Sequence, residues 1–289
     1  MRLFIFGVGF SSTAIVGEVR DRFDWIGGTT RSADKMDSLR DLGVEAFLFD
    51  GKSKGEGIAE ALKSATHILI SIGPNDTGDP VLNQHAEDIA AAKPKWIGYL
   101  STVGVYGNHD GNWVDEDTSC KPVSKRSLQR IAAEEAWQNF AEANDVPLNI
   151  FRLSGIYGPG RNAFENFRKG TARRLVKPGQ VFNRIHVADI AGAVSAAMSQ
   201  PSNRIFNVTD DEPAPPQDVV AFAAELLNVT PPPEIPFETA ELTPMARSFY
   251  GENKRVSNKR VKDELGYSFR YPNYRVALAA LHDQMKSGD

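Results

Sequence analysis

One cysteine, Cys120, is all that 289 residues contain, so no internal disulfide can form and no CxxC metal or redox pair exists. That usage suits a reducing compartment, and a cytoplasmic location is expected. No apolar run reaches the length of a membrane span. Leu3-Phe4-Ile5-Phe6 follows Met1-Arg2 directly and ends at a glycine, too short even for a signal peptide. An excess of one charge is missing too: 33 Lys and Arg stand against 37 Asp and Glu, a net charge of −4. Without a global basic field, neither nucleic acid nor a membrane is expected as a partner. There is no internal repeat and no low-complexity tract, and no metal site is expected.

What the chain does have is alternation. Short runs rich in Val, Ile and Phe are separated by stretches of helical period through the first half of the sequence. Leu3 to Phe6, Trp25 to Thr29, Glu45 to Phe49, His67 to Ile72, Trp96 to Leu100 and Leu148 to Phe151 read as strands. Such alternation builds βαβ units, and the expected fold is α/β: a doubly wound parallel sheet of Rossmann type, its strands buried on both faces, with a smaller C-terminal substrate lobe. The expected division places residues 1–155, completed by 183–209, in the dinucleotide-binding domain, and 156–182 with 210–289 in the lobe. Prolines 213, 215 and 216, and then 231, 232, 233 and 236, punctuate loops in that lobe, and the tail after Arg247 is expected to pack there as well.

Gly7-Val8-Gly9-Phe10-Ser11-Ser12 follows the first strand and opens a helix, the context a dinucleotide fingerprint requires. Gly7 permits the tight turn and Gly9 lets a pyrophosphate approach the backbone. Ser12 replaces the usual third glycine, and Ser11 and Ser12 add hydroxyls toward a phosphate. Where an NAD-binding chain places an acid after the second strand, this one reads Thr30-Arg31-Ser32. A carboxylate there would repel a 2′-phosphate, whereas a guanidinium binds one through forked hydrogen bonds, so NADP(H) is expected in preference to NAD(H). Lys35 offers a second charge. Asp50 either accepts from the adenine amino group or is a plain turn aspartate. Ser71, Ile72 and Gly73, closing the fourth strand, complete the expected cofactor wall.

Further along, Ser101-Thr102-Val103-Gly104-Val105-Tyr106-Gly107, then Arg152 with Gly155-Ile156-Tyr157-Gly158-Pro159-Gly160-Arg161, then His186-Val187-Ala188-Asp189-Ile190-Ala191, resemble the extended short-chain dehydrogenase/reductases, also called the NAD-dependent epimerase/dehydratase family. Asp115-Glu116-Asp117, Pro122, Asn207-Val208 and Leu265-Gly266-Tyr267 fit in order. The resemblance implies oxidoreductase or epimerase chemistry on a small anionic or sugar-nucleotide-like substrate, with Thr102 matching the family's catalytic serine/threonine. It also implies a tyrosine and a lysine four residues apart on a helix. Counted from Pro122 and checked at Glu134, those positions hold Arg126 and Arg130, and no tyrosine occurs between Tyr106 and Tyr157. Tyr250 to Lys254 spells the motif far downstream, by coincidence. The chain thus resembles a divergent branch that lacks the pair.

An arginine has no useful conjugate base, so it cannot shuttle a proton. Arg130 can still hold the nicotinamide ribose or a substrate anion, and Arg126 a substrate. Equally, Arg126, Arg130 and Glu134 share one helical face and read as an ion ladder. Tyr106 is the leading acid/base candidate, ahead of Tyr157, Lys125 and His109, and His186 reads as a structural histidine that positions Asp189. Between Arg161 and Lys177, basic residues including Arg168 interleave with Phe164 and Phe167. That face holds an anionic substrate or is simply solvated; Tyr157, Arg161 and Arg168 are the substrate-binding candidates there. Relatives pair through helices matching Val81 to Ala92 and Val123 to Phe140, which makes a homodimer an expectation of the resemblance. A noncatalytic NADP(H)-binding sensor or scaffold is the alternative that the missing tyrosine favours.

Overall fold

The computed structural model describes residues 1–287 of the chain. Thirteen strands occur among them. Seven form one all-parallel sheet: β1 (Arg2–Phe6), β2 (Trp25–Thr30), β3 (Glu45–Leu48), β4 (His67–Ile70), β5 (Trp96–Thr102), β7 (Leu148–Leu153) and β11 (Arg204–Val208), in the order β11-β7-β5-β4-β1-β2-β3. The other six pair off in parallel: β6 (Trp113–Val114) with β13 (Arg255–Val256), β8 (Gly155–Tyr157) with β10 (Arg184–His186), and β9 (Arg174–Val176) with β12 (Glu234–Pro236). The α-helices are α1 (Phe10–Val19), α2 (Met36–Asp41), α3 (Ile58–Leu62), α4 (Pro80–Ala92), α5 (Lys125–Asn144), α6 (Ala163–Arg168), α7 (Val187–Ser199), α8 (Pro216–Leu227), α9 (Pro244–Phe249), α10 (Lys259–Leu265) and α11 (Tyr274–Ser287).

The pleat of β1 explains why the sheet is wound on both sides. Successive side chains point to opposite faces. Leu3 and Ile5 join the core made with α1, α7 and α10, through Ile15, Val16, Ile190, Val194 and Val261. Phe4 and Phe6 join the core made with α3, α4 and α5, through Ile58, Leu62, Val81, Ile89 and Trp137. Both faces are therefore covered, as the unbroken apolar runs predict. The sheet-edge strand β3 departs from that rule, with two of its four residues exposed.

The sequence reading missed β11, whose Arg204 and Asn207 interrupt its apolar pattern; the strand exists because it adds to the free edge of β7. Not every proline sits in a loop. Pro216 opens α8, where a missing amide costs nothing, and Pro236 ends the short strand β12. The tail after Arg247 also divides. Val261 and Leu265 of α10 enter the sheet's own core, whereas Tyr274, Leu278 and Leu281 of α11 pack with α8 in a separate cluster. No helix among the described residues is long and apolar enough to cross a membrane. No group of three or more His, Cys, Asp or Glu there could hold a metal ion.

Candidate functional site

The strand order reverses between β1 and β4, and ligands of open parallel sheets bind at the carboxyl ends of strands beside such a switch. The glycine turn lies there. Gly7 has φ +89°, and a Cβ on it would come within 2.3 Å of Ile72 Cγ2, so only glycine fits. Its amide donates to Thr29 Oγ1 at 2.8 Å, and Val8 N donates to Thr29 O at 2.9 Å, which ties the turn to β2. A Cβ on Gly9 would meet nothing within 4 Å. That open space lies at the start of α1, whose first-turn amides have neither an intrahelical acceptor nor a side-chain cap. A phosphate group fits such a place, because the amides and the helix dipole both favour negative charge. Ser12 is spent differently from expectation. It is fully buried, and its hydroxyl donates to Gly7 O at 3.0 Å, so it fastens the turn from within.

Arg31 follows β2 directly, exposed and without a hydrogen bond or ion pair among the described residues. Thr30 is buried, and its Oγ1 accepts from Ser32 N at 3.3 Å, which shapes the turn that presents Arg31. Asp50 is exposed and accepts from Lys52 N at 2.8 Å, the geometry of a turn aspartate. On the other side of the switch, Ser71 N donates to Phe6 O at 2.8 Å and carries β4 past the turn toward Ile72 and Gly73.

Arg130 leans from α5 over this wall. Its Nη1 donates to Leu100 O at 2.9 Å and to Tyr99 OH at 3.1 Å, while Nη2 lies 3.1 Å from where a Cβ of Gly73 would be. The guanidinium is thus held at the carboxyl edge of the sheet by two fixed acceptors. Thr102 ends β5, and its Oγ1 accepts from Gly104 N at 3.1 Å. Ser127, which sequence reading passed over, brings a second hydroxyl: a Cβ on Gly104 would lie 3.4 Å from Thr102 Oγ1 and 3.5 Å from Ser127 Oγ. Its spacing from Arg126 and Arg130 was visible, but nothing marked its contact with the Thr102 turn. Arg126 lies exposed on the first turn of α5, one helical turn before Arg130, with no partner among the described residues.

The ion ladder does not form. Glu134 turns into the sheet and pairs with Arg152 at 2.8 Å, and it accepts from the Ser101 hydroxyl. Tyr106 belongs to the same buried network. It has no exposed surface, its hydroxyl donates to Asn207 Oδ1 at 2.8 Å and accepts from Arg152 Nη1 at 3.0 Å, and burial pushes its pKa up to about 12. A phenol so enclosed does not reach a substrate, which corrects the acid/base assignment. Lys125 pairs with Asp76 at 2.6 Å, and His109 Nε2 lies 3.1 Å from Tyr106 O within its loop.

Beyond β7, the Gly158-Pro159-Gly160-Arg161 turn closes through reciprocal backbone bonds of 2.9 and 3.0 Å. It sets Arg161 above the Phe10 ring, 5.7 Å from its centroid, beside the glycine turn. Arg168 does not join it; exposed on α6, it pairs with Glu165 at 2.7 Å, so it belongs to the solvated face. Arg174 likewise pairs with Glu234 at 2.6 Å. Tyr157 turns inward against α8 and α11, and burial raises its pKa. No hydrogen bond or ion pair joins Asp189 to His186 among the described residues. Its Nδ1 accepts from Ala188 N at 3.2 Å and caps α7, and burial lowers its pKa to about 4. Asp189 instead holds the C-terminal segment, accepting from Tyr267 OH at 2.8 Å, Arg270 N at 2.7 Å and Tyr271 N at 3.0 Å.

A parallel doubly wound sheet whose switch point carries a glycine turn and an uncapped helix start defines a dinucleotide-binding protein of Rossmann type. Comparison narrows the class. Residues 85–209 match the model of the NAD dependent epimerase/dehydratase family. A functionally unknown conserved protein from Silicibacter pomeroyi DSS is 47% identical, with 99% of this chain and 99% of that one covered and a TM-score of 0.90. Two more distant structures share the fold. MoeE5 in complex with UDP-glucuronic acid and NAD is 19% identical over 100% of both chains, with a TM-score of 0.78. Human epimerase family protein SDR39U1 with NADPH is 18% identical over 98% of this chain and 99% of its own, with a TM-score of 0.72. Over residues 85–209, then, this chain matches the NAD dependent epimerase/dehydratase family, and it shares its whole fold with the two distant structures.

Proposed function

We propose that this protein binds NADP(H) in preference to NAD(H) and passes a hydride between it and a small anionic or sugar-nucleotide-like substrate, as an oxidoreductase or epimerase. The observation that carries the reading is the pairing of the open, uncapped start of α1 at Gly9 with the unpaired Arg31 at the end of the neighbouring strand. Gly7, Gly9, Phe10 and Ser11 would hold the pyrophosphate, Thr30, Arg31 and Ser32 the 2′-phosphate, and Ser71 to Gly73 with Arg130 the remaining ribose. When bound, the cofactor supplies the hydride donor or acceptor.

Thr102 orients the substrate oxygen. Arg126, standing where the family has tyrosine, offers donors and no acceptor, so its part is electrostatic: it stabilises negative charge that develops on that oxygen. Arg161 steers the anion into the cleft. A homodimer through α4 and α5 belongs to the same proposal, with Val123 and Leu128 exposed to meet the partner.

Nicotinamide fluorescence titration tests the cofactor half. Arg31→Asp is expected to weaken NADPH by about tenfold or more, the worth of a charge-assisted hydrogen bond, and NADH far less. Equal losses would defeat the preference. Exchange of deuteride from labelled nicotinamide into a panel of sugar nucleotides tests the chemistry. Binding without any exchange would favour the second reading, a noncatalytic redox sensor, for which the enclosure of Tyr106 already speaks.

A further inference from the structure

Of the basic side chains from Arg161 to Lys177, only one lacks a polar partner among the described residues. Arg168 and Lys169 pair with Glu165 and Arg174 with Glu234, while Arg173 donates to Glu241 O at 3.2 Å and Lys177 to Tyr250 O. Arg161 is exposed and joins no hydrogen bond or ion pair there. Its guanidinium carbon stands 5.7 Å from the centroid of the Phe10 ring, with every N–H donor of the fork free.

That position is set by the backbone. Gly158 and Arg161 exchange amide bonds of 2.9 and 3.0 Å, and Asn162, the cap of α6, donates from Nδ2 to Gly158 O at 2.9 Å. Gly158 in turn lies against Phe10. A Cβ on it would come within 3.5 Å of Phe10 Cζ and 2.7 Å of Val187 Cγ1, so the approach needs glycine. A second donor sits at the same contact. His186 is 4% exposed, and its Nδ1 accepts from Ala188 N, so Nε2 carries the hydrogen; Nε2 has no partner among the described residues and would lie 3.4 Å from that Cβ. Free donors thus gather where the turn meets the start of α1.

We infer that Arg161 is a clamp on the cofactor's pyrophosphate, reaching over the start of α1 from the turn between β8 and α6 and acting on NADP(H) and NAD(H) alike. The inference rests on the cofactor half of the proposed function, and it gives Arg161 a partner that is in place before any substrate anion arrives. Charge is the reason. A helix start supplies only about half a unit of positive charge, far less than the phosphates of a pyrophosphate carry together. The Gly7 to Ser12 segment contains no charged side chain, and Phe10, on whose ring Arg161 stands, is the first residue of α1. A guanidinium there adds what the amides lack, a full charge and a fork that spans neighbouring phosphate oxygens. With Arg31 on the 2′-phosphate, the two arginines divide the cofactor's anions between them.

The full chain would be titrated calorimetrically with two fragments at constant ionic strength: ADP-ribose, which has the pyrophosphate and lacks the 2′-phosphate, and 2′-AMP, which has the reverse. Arg161→Gln is expected to bind ADP-ribose about tenfold more weakly than the parent and 2′-AMP within about twofold of it, and Arg31→Asp to show the opposite pattern. NADPH and NADH, read by fluorescence, should weaken by the same factor in Arg161→Gln. The side chain is exposed, so this variant should melt with the parent. ADP-ribose binding undiminished in Arg161→Gln, or a loss that falls equally on 2′-AMP, would overturn the clamp and leave the cofactor reading standing. A parent that binds neither fragment would overturn the cofactor reading itself, and the clamp with it.

Discussion

Tyr106 stands four residues past Thr102, close enough in sequence to inherit a proton-relay role and too well enclosed to perform it. The strand's end turns through Val103–Tyr106, and the ring swings under the sheet edge against Arg152, 4.9 Å from the guanidinium carbon to the ring centroid. Tyr106→Phe should therefore leave hydride transfer unchanged within about twofold while costing about 1–3 kcal/mol in urea unfolding, since Arg152 and Asn207 each lose a partner. A large rate loss at full stability would return the phenol to the chemistry. Glu134→Gln strikes the same network harder. It leaves the Arg152 guanidinium buried without a counter-charge and should cost about 3–5 kcal/mol in the same assay.

At the scale of the element, the start of α1 separates two glycines that look alike in sequence. Gly7 is fixed by conformation, with φ +89° and Ile72 pressed against the missing side chain. Gly9 has φ −124°, which any residue adopts, and faces open space. Gly7→Ala should destabilise the fold by about 1–3 kcal/mol, seen in thermal melts. Gly9→Ala should fold with unchanged melting temperature and yet lose NADPH affinity at least tenfold, because its methyl occupies room a pyrophosphate needs. Intact affinity in Gly9→Ala would place the cofactor elsewhere.

For the whole molecule, buried ionisable groups set opposing pH slopes. Burial lowers His67 and His186 to about 4, so the folded state binds fewer protons than the unfolded one, and their stability contribution is lost as pH falls from about 6.5 to 4. Asp210 works in the other direction. Its folded pKa of about 8 exceeds the ordinary 3.8, so its contribution is complete below 3.8 and is lost as pH rises through 8. Urea unfolding from pH 5 to 8.5 checks this: Asp210→Asn should gain steadily on the parent as pH rises and then level off. A difference that does not change with pH would mean that Asp210 is ionised throughout.

Local pattern was enough for the class of fold and for the glycine turn after β1. Apolar runs of strand length separated by helical period require a doubly covered parallel sheet, and Gly7, Gly9 and Arg31 lie within reach of their own strands. Those features rest on neighbours in the chain. What depended on distant residues was decided only by packing: Thr29 gripping the amide of Gly7 across β1 and β2, Glu134 turning from α5 to Arg152 on β7, and Asp189 on α7 accepting from Tyr267, Arg270 and Tyr271. The physical reason is burial. Side-chain chemistry at these positions follows from which charges and hydroxyls are shut away from water together, and residues far apart along the chain become neighbours only once the sheet and the lobe have closed on them.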